Sequence, residues 1–145
     1  MTDQSSAREQ IADVLLRYAT AIDTRQWALL RTCFTDDVQA DYGDIGHWSD
    51  ADGITKFMSE VHETMSDVKH MLHNMVIRLD DDNHATARTY VHTVQAFASD
   101  PKQWVDAVGQ YSDELVRTED GWRISKRTFT STRVFSSFDV QPTTR

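Results

Sequence analysis

At 145 residues, with 39% apolar and 26% charged side chains, the sequence is sized for one domain with a substantial core, and no block is extreme enough to read as disordered. A formal charge of −8 and a pI near 5.1 argue against the clustered positive surface that a nucleic-acid-binding protein needs, so nucleic acid is not an expected partner. Cys33 is the single cysteine, which excludes an intrachain disulfide and a cysteine-based zinc site and fits a reducing compartment.

Asp3, Arg8, Glu9 and Asp13 interrupt the opening stretch, so it lacks a signal peptide's apolar core. No uncharged run is long enough to span a bilayer, and the expectation is a cytoplasmic protein with no membrane partner. Ser6 and Glu9 have the spacing of a capping box ahead of Ile11, Val14, Leu15, Tyr18, Ala19 and Ile22, which predicts an amphipathic helix over residues 7 to 24. A short helix follows from Trp27 to Phe34, ended by a Thr35-Asp36-Asp37 turn, and Val38 to Tyr42 reads as a strand. Ser49 and Asp52 repeat the capping spacing before Ile54, Phe57, Met58, Val61 and Met65, a third helix.

From Lys69 onward the signal becomes β. His70 to Leu79, Ala85 to Ala98, Trp104 to Arg117 and Trp122 to Phe135 are rich in Val, Ile, Thr, Tyr and Phe. The links Asp80-Asp81-Asp82-Asn83, Asp100-Pro101 and Glu119-Asp120-Gly121 are short turn sequences, so neighbours should be antiparallel. Helices first and a meander afterwards imply a single α+β domain over residues 1 to 145, with the helices on one face of an antiparallel sheet. Strands this long should bend or bulge, with Gly109 a suitable place, and the tail Gln141 to Arg145 is expected to fray.

A period of two along the first long strand puts His70, Leu72 and Asn74 on one face and His73, Met75 and Ile77 on the other. His70 and His73 therefore diverge, which argues against a metal held by His-x-x-His, and no metal is expected. Only five glycines are present and none forms a nucleotide-binding turn, so no cofactor is expected either. Tyr18 lies in the apolar stripe of the first helix and Asp23 at the stripe's border near its C-terminal end, where the helix dipole does not favour a carboxylate. Asp23 then either caps the next helix through the amides near Gln26 or serves a site. His70 is either a core histidine bonded to a carbonyl or a functional one.

His92 shares a face with Tyr90 and Val94, and periodicity alone leaves open whether that face turns inward. His47, His62 and His84 read as surface residues, and Trp122 with Ile124 as core. Tyr42, Trp48, Phe57, Met58 and Met71 either line an apolar pocket or pack as ordinary core.

Four stretches in order resemble the SnoaL-like family, whose fold also includes nuclear transport factor 2. They are Arg17 to Trp27, Phe34-Thr35-Asp36-Asp37-Val38, His70-Met71-Leu72-His73-Asn74, and Tyr111-Ser112-Asp113-Glu114-Leu115 with Gly121-Trp122-Arg123-Ile124. The resemblance implies a cone-shaped, strongly curved sheet closed by helices over a cavity, and a homodimer or homotrimer. It also brings in cofactor-free lyases that use an Asp and a His for elimination: scytalone dehydratase, bile-acid 7α-dehydratase and hexachlorocyclohexane dehydrochlorinase. By that resemblance Asp23 matches a helix-end Asp and His70 a strand His of the latter two enzymes, with Asn74 closing the dehydrochlorinase's His-x-x-x-Asn stretch. Tyr18 is similar to a Tyr of the bile-acid enzyme, Arg133 resembles a late Arg there, and His92 resembles a second His of scytalone dehydratase. Where the bile-acid enzyme carries an Asp on a long strand, this chain offers His92 or Thr93.

Together these readings predict a cofactor-independent lyase acting on a small ring-bearing hydroxylated or carbonyl compound. His70 would take a proton from carbon, Asp23 would hold its ring, and Tyr18 or His92 would donate to oxygen. An isomerase or polyketide-cyclase-like enzyme using the same cavity, and a non-catalytic binding or structural subunit, are the competing readings.

Overall fold

The computed structural model describes residues 3–138, so the tail expected to fray lies outside the described residues. Helix α1 covers Gln4–Asp23, α2 Trp27–Arg31 and α3 Ala51–His62, and the strands are β1 Phe34–Asp41, β2 His47–Trp48, β3 Met65–Leu79, β4 His84–Phe97, β5 Trp104–Thr118 and β6 Gly121–Ser136. A 3-10 turn, Gly43–Ile45, joins β1 to the short β2. Neither β2 nor that turn carries a pattern long enough to read from sequence.

Both long helices start on an aspartate instead of the expected serine. Asp3 accepts from the Ser5 amide at 3.1 Å, and Asp50 accepts from the Gly53 amide at 2.6 Å. Carboxylate and hydroxyl caps serve the same orphan amides, so spacing alone misplaces the start by one to three residues. Helix α2 ends at Arg31, and the expected turn Thr35-Asp36-Asp37 lies inside β1. Between the Phe34–Ile124 and Gln39–Lys126 partners, β1 spends more residues than β6, and this irregularity absorbs the polar triplet.

The strands form one six-stranded sheet in the order β2-β1-β6-β5-β4-β3. β3 to β6 pair as an antiparallel meander, and β1 returns to lie parallel to β6. The sheet is curved and unclosed, giving the α+β cone. Its bends fall at bulges, one of them between Val108 and Gly109. There a Cβ on Gly109 would lie 2.5 Å from the Thr130 carbonyl oxygen and 2.7 Å from the Phe129 ring, so only glycine fits.

The concave face packs on the apolar stripe of α1. Ile11, Leu15 and Ile22 from that helix, Leu30 from α2, Ile54 from α3, Leu115 from β5 and Ile124 from β6 are fully buried. Trp122 is core, as its alternation with Ile124 predicts.

Two bulges decide which residues face inward. Along β3 the register slips between His73 and Val76, and Asn74 sits at φ 50°, so Met75, Ile77 and Leu79 join His70 and Leu72 on the inner side. The even alternation expected from the sequence therefore fails beyond His73: an extra residue reverses the phase. A second slip on β6, between the Glu114–Lys126 and Leu115–Ile124 partners, turns Arg127 inward instead of Lys126.

Candidate active site

The site is built where α1 ends and β3 begins. The Gln26 amide bonds back to the Ala21 carbonyl at 2.8 Å and the Arg25 amide to the Ile22 carbonyl at 3.1 Å, a Schellman closure with Arg25 in the left-handed conformation at φ 60°. From that turn the Arg25 guanidinium donates to the carbonyls of Met65 at 3.3 Å and Ser66 at 3.0 Å. The end of α1 is thereby tied to the first residues of β3, four to five positions before His70.

Asp23, in the last turn of α1, then meets His70. Its Oδ1 accepts from the His70 ring Nδ1 at 2.7 Å, and its Oδ2 accepts from the His70 backbone amide at 2.9 Å. The side chains are 17% and 6% exposed, respectively. Capping of α2 is excluded as the role of Asp23, because Gln26 occupies the cap position without any side-chain bond. Holding Nδ1–H on the carboxylate leaves the His70 Nε2 lone pair for a substrate.

A cavity of about 310 Å³ opens beside this pair, walled by Tyr18, Tyr42, Phe57, Met58, Val61, Thr93, Tyr111 and Phe129 among others, with His62 and His70 in the wall. The Tyr18 and Tyr42 hydroxyls are 2.8 Å apart, so one donates to the other. Burial raises the pKa of both and of Tyr111, which keeps all three as neutral hydrogen-bond donors. Beneath them, Arg127 donates from Nε at 2.7 Å and Nη2 at 2.8 Å to Asp113. Its guanidinium stacks 3.9 Å from the Tyr111 ring centre and 4.3 Å from that of Tyr18. Burial opposes the Arg127 charge, but Asp113 together with the Tyr42 and Tyr18 oxygens outweighs it and the pKa lies well above the usual value.

The cavity residues expected from sequence divide clearly. Asp23, His70, Tyr18, Tyr42, Phe57 and Met58 come together at this place. Trp48 does not line the cavity; its ring packs 4.5 Å from Phe57 and 5.6 Å from Tyr42 and so backs the wall. His92 is turned away, since β4 alternates without interruption and buries Thr89, Val91 and Thr93. Thr93, its neighbour on β4, is the residue that lines the cavity. Met71 pairs across from His92 on the same outer face and is exposed. Asn74 forms the exposed bulge described above, and Arg133 is exposed with its guanidinium 5.6 Å from the Phe135 ring.

Sequence reasoning missed His62, read as a surface residue but only 4% exposed. The signal was available: it stands four residues after Met58 and eight after Ile54, on the buried stripe of α3. The inward turn of Arg127 had no such signal, because it depends on the β6 bulge. Among the described residues no group of three His, Cys, Asp or Glu side chains is placed to hold a metal ion. Cys33 is buried in the core, where burial pushes its thiol up to about 11, so it is not a nucleophile. A larger concavity, about 490 Å³, lies among exposed Arg78, Arg88, Glu114 and Lys126 and contains no comparable pair. No helix among the described residues is long and apolar enough to cross a membrane.

A helix-covered curved sheet with a carboxylate–imidazole pair on its cavity makes this a cone-shaped α+β domain with a candidate site inside it. The chain belongs to the SnoaL-like domain family, whose family model matches residues 3–128. An uncharacterized protein of Mycobacterium tuberculosis is 36% identical over 126 residues, covering 84% of this chain and 83% of its own. Among solved structures, a hexachlorocyclohexane dehydrochlorinase from Novosphingobium barchaimii superposes with a TM-score of 0.83 at 18% identity, over 96% of this chain and 97% of that one. A nuclear transport factor 2-like superfamily protein from Salmonella enterica gives 0.81 at 20% identity, over 90% and 94%. At such identities these likenesses establish the fold.

Proposed function

We propose that the protein is a cofactor-independent lyase of the dehydratase type, acting on a small ring-bearing compound with a hydroxyl β to a carbonyl or to a similarly activating group. The observation that carries this reading is the 2.7 Å contact between Asp23 and His70 Nδ1 on the wall of an apolar cavity. Such a pair needs neither metal nor nucleotide to move a proton at carbon.

In the proposed reaction, His70 Nε2 takes the proton on the carbon next to the activating group, and the C–H electrons become the new double bond. The C–O bond on the adjacent carbon breaks with both electrons going to oxygen. The proton held by His70 passes to that oxygen and water leaves, so the enzyme ends as it began. Asp23 steadies the imidazolium in between, and a hydroxyl of the Tyr18–Tyr42 pair donates to the carbonyl oxygen as negative charge gathers there. A dehydrochlorinase on the same fold supports the reaction class without identifying the substrate.

The test is a panel of cyclic β-hydroxy ketones followed by mass spectrometry. The expected product has lost one water, and His70→Ala lowers turnover at least about 100-fold, the lower bound for a positioned general base. A product of unchanged mass would move the assignment to an isomerase. A His70→Ala variant as fast as the wild type would end the proposal.

A further inference from the structure

Arg25 stands where glycine is the favoured residue. It follows the end of α1 at φ 60°, the left-handed position that closes the turn, and a Cβ is disfavoured in that conformation. An arginine there points to a task for its guanidinium.

That group is half-buried and divides its donors between two segments of backbone. Nη1 donates to the Ile22 carbonyl at 3.3 Å and the Asp23 carbonyl at 3.4 Å, in the last turn of α1. Nη2 donates to the Met65 carbonyl at 3.3 Å and the Ser66 carbonyl at 3.0 Å, at the start of β3. One rigid fork thus spans the helix end and the strand start.

β3 needs such a tie at this point. It is an edge strand of the sheet, and its pairing with β4 slips between Met65 and Val68, so the ladder does not fix Ser66 and Asp67. His70 follows directly after, and it carries both contacts of the Asp23 carboxylate, one to the ring Nδ1 and one to the backbone amide. A hydrogen bond of 2.7 Å is lost once stretched past about 3.5 Å, so a slide of β3 by a fraction of one residue's rise would part the pair.

We propose that Arg25 is a positioning residue: its guanidinium locks the end of α1 to the start of β3 and thereby holds the Asp23 carboxylate on His70. It is not among the residues that line the cavity, and it acts through Asp23. Its bearing on catalysis rests on the Asp23–His70 pair being the base of the proposed reaction.

Hydrogen exchange followed by NMR on the full chain tests this without turnover. In Arg25→Gly the backbone suits its conformation better while the tie is gone, so the melting temperature should stay within a few degrees of the wild type. The His70 backbone amide and ring Nδ1–H, both held by Asp23, should exchange with water at least about tenfold faster, while amides of the β4–β5 ladder keep their wild-type rates. Asp23→Ala should speed the same two protons, and adding Arg25→Gly to it should speed them no further. Unchanged exchange at His70, a loss of protection shared equally by the β4–β5 ladder, or an added effect in the double variant overturns the proposal. Should Arg25→Gly fail to fold, Arg25→Lys decides. A single ammonium cannot reproduce the fork, so the two His70 protons should again exchange faster, and unaltered rates refute the inference. The exchange rates and the search for a dehydrated product fail independently: the tie can hold in a protein with no lyase activity, and lyase activity can be found where Arg25 proves dispensable to the pair.

Discussion

Two carboxylates hold basic side chains inside this cone, and their surroundings differ. Asp113 and Arg127 are direct cross-strand partners on β5 and β6, joined by two hydrogen bonds and only 0% and 1% exposed. Asp23 and His70 come from a helix and a strand far apart in sequence and sit at a cavity wall. A guanidinium sealed in the core keeps its proton permanently, so the first pair is a fixed charge that props Tyr18 and Tyr111. The imidazole instead lines a cavity where a bound molecule can reach it, and under the proposed mechanism the second pair serves as a base. Access to the cavity and the identity of the basic partner separate the two pairs, not the carboxylate.

The comparison breaks most sharply at Asp113. Asp113→Ala strands a buried guanidinium and is expected to cost about 3–5 kcal/mol in urea unfolding, whereas the double change Asp113→Leu with Arg127→Met should recover most of it. Asp23→Asn should act the other way. Its amide oxygen can still accept from the His70 backbone, so melting temperature should barely move, while turnover of any dehydrated substrate falls at least about tenfold, roughly 1.4 kcal/mol in the barrier. A lowered melting temperature with unchanged kinetics would place Asp23 with Asp113.

Asp50 supplies the control carboxylate, since it does no more than cap α3. Asp50→Ala should cost about 1 kcal/mol of stability and leave turnover unchanged. The smallest effect concerns pH. His62 is held below its ordinary value of 6.5, so the unfolded chain takes the proton first as pH falls. Unfolding free energy is therefore at its full value above about pH 6.5 and declines below it, and denaturation of His62→Leu at pH 7.5 and 5.5 should show a flatter slope. Arg127 contributes no slope in that window.

Most of the architecture was legible. The helical spacing of Ile11 to Ile22, the β-rich run after Lys69 and the turn residues between strands placed the long elements, except that β3 starts at Met65, five residues before the expected His70 and at a residue the helical spacing assigned to α3. The site was half legible. Tyr18 and Asp23 lie on a helix whose periodicity is regular, and His70 precedes the β3 bulge, so their directions followed from spacing together with the family likeness. Asn74 and Arg127 lie at or past bulges, where one extra residue reverses which side faces in, and counting by twos assigns the wrong face. His92 failed for another reason: its strand alternates perfectly, but nothing local says which of two faces meets the helices.

What the chain determined by itself is periodicity and punctuation: which segments coil, which extend, and where they turn, because these depend on neighbours within a few residues. Only the tertiary structure decided which strand face is concave and where its phase inverts. It alone brings Asp23 against His70 and leaves Nε2 of His62 without a partner among the described residues. Those outcomes depend on packing between residues dozens of positions apart, where burial and hydrogen-bond satisfaction outweigh any local preference.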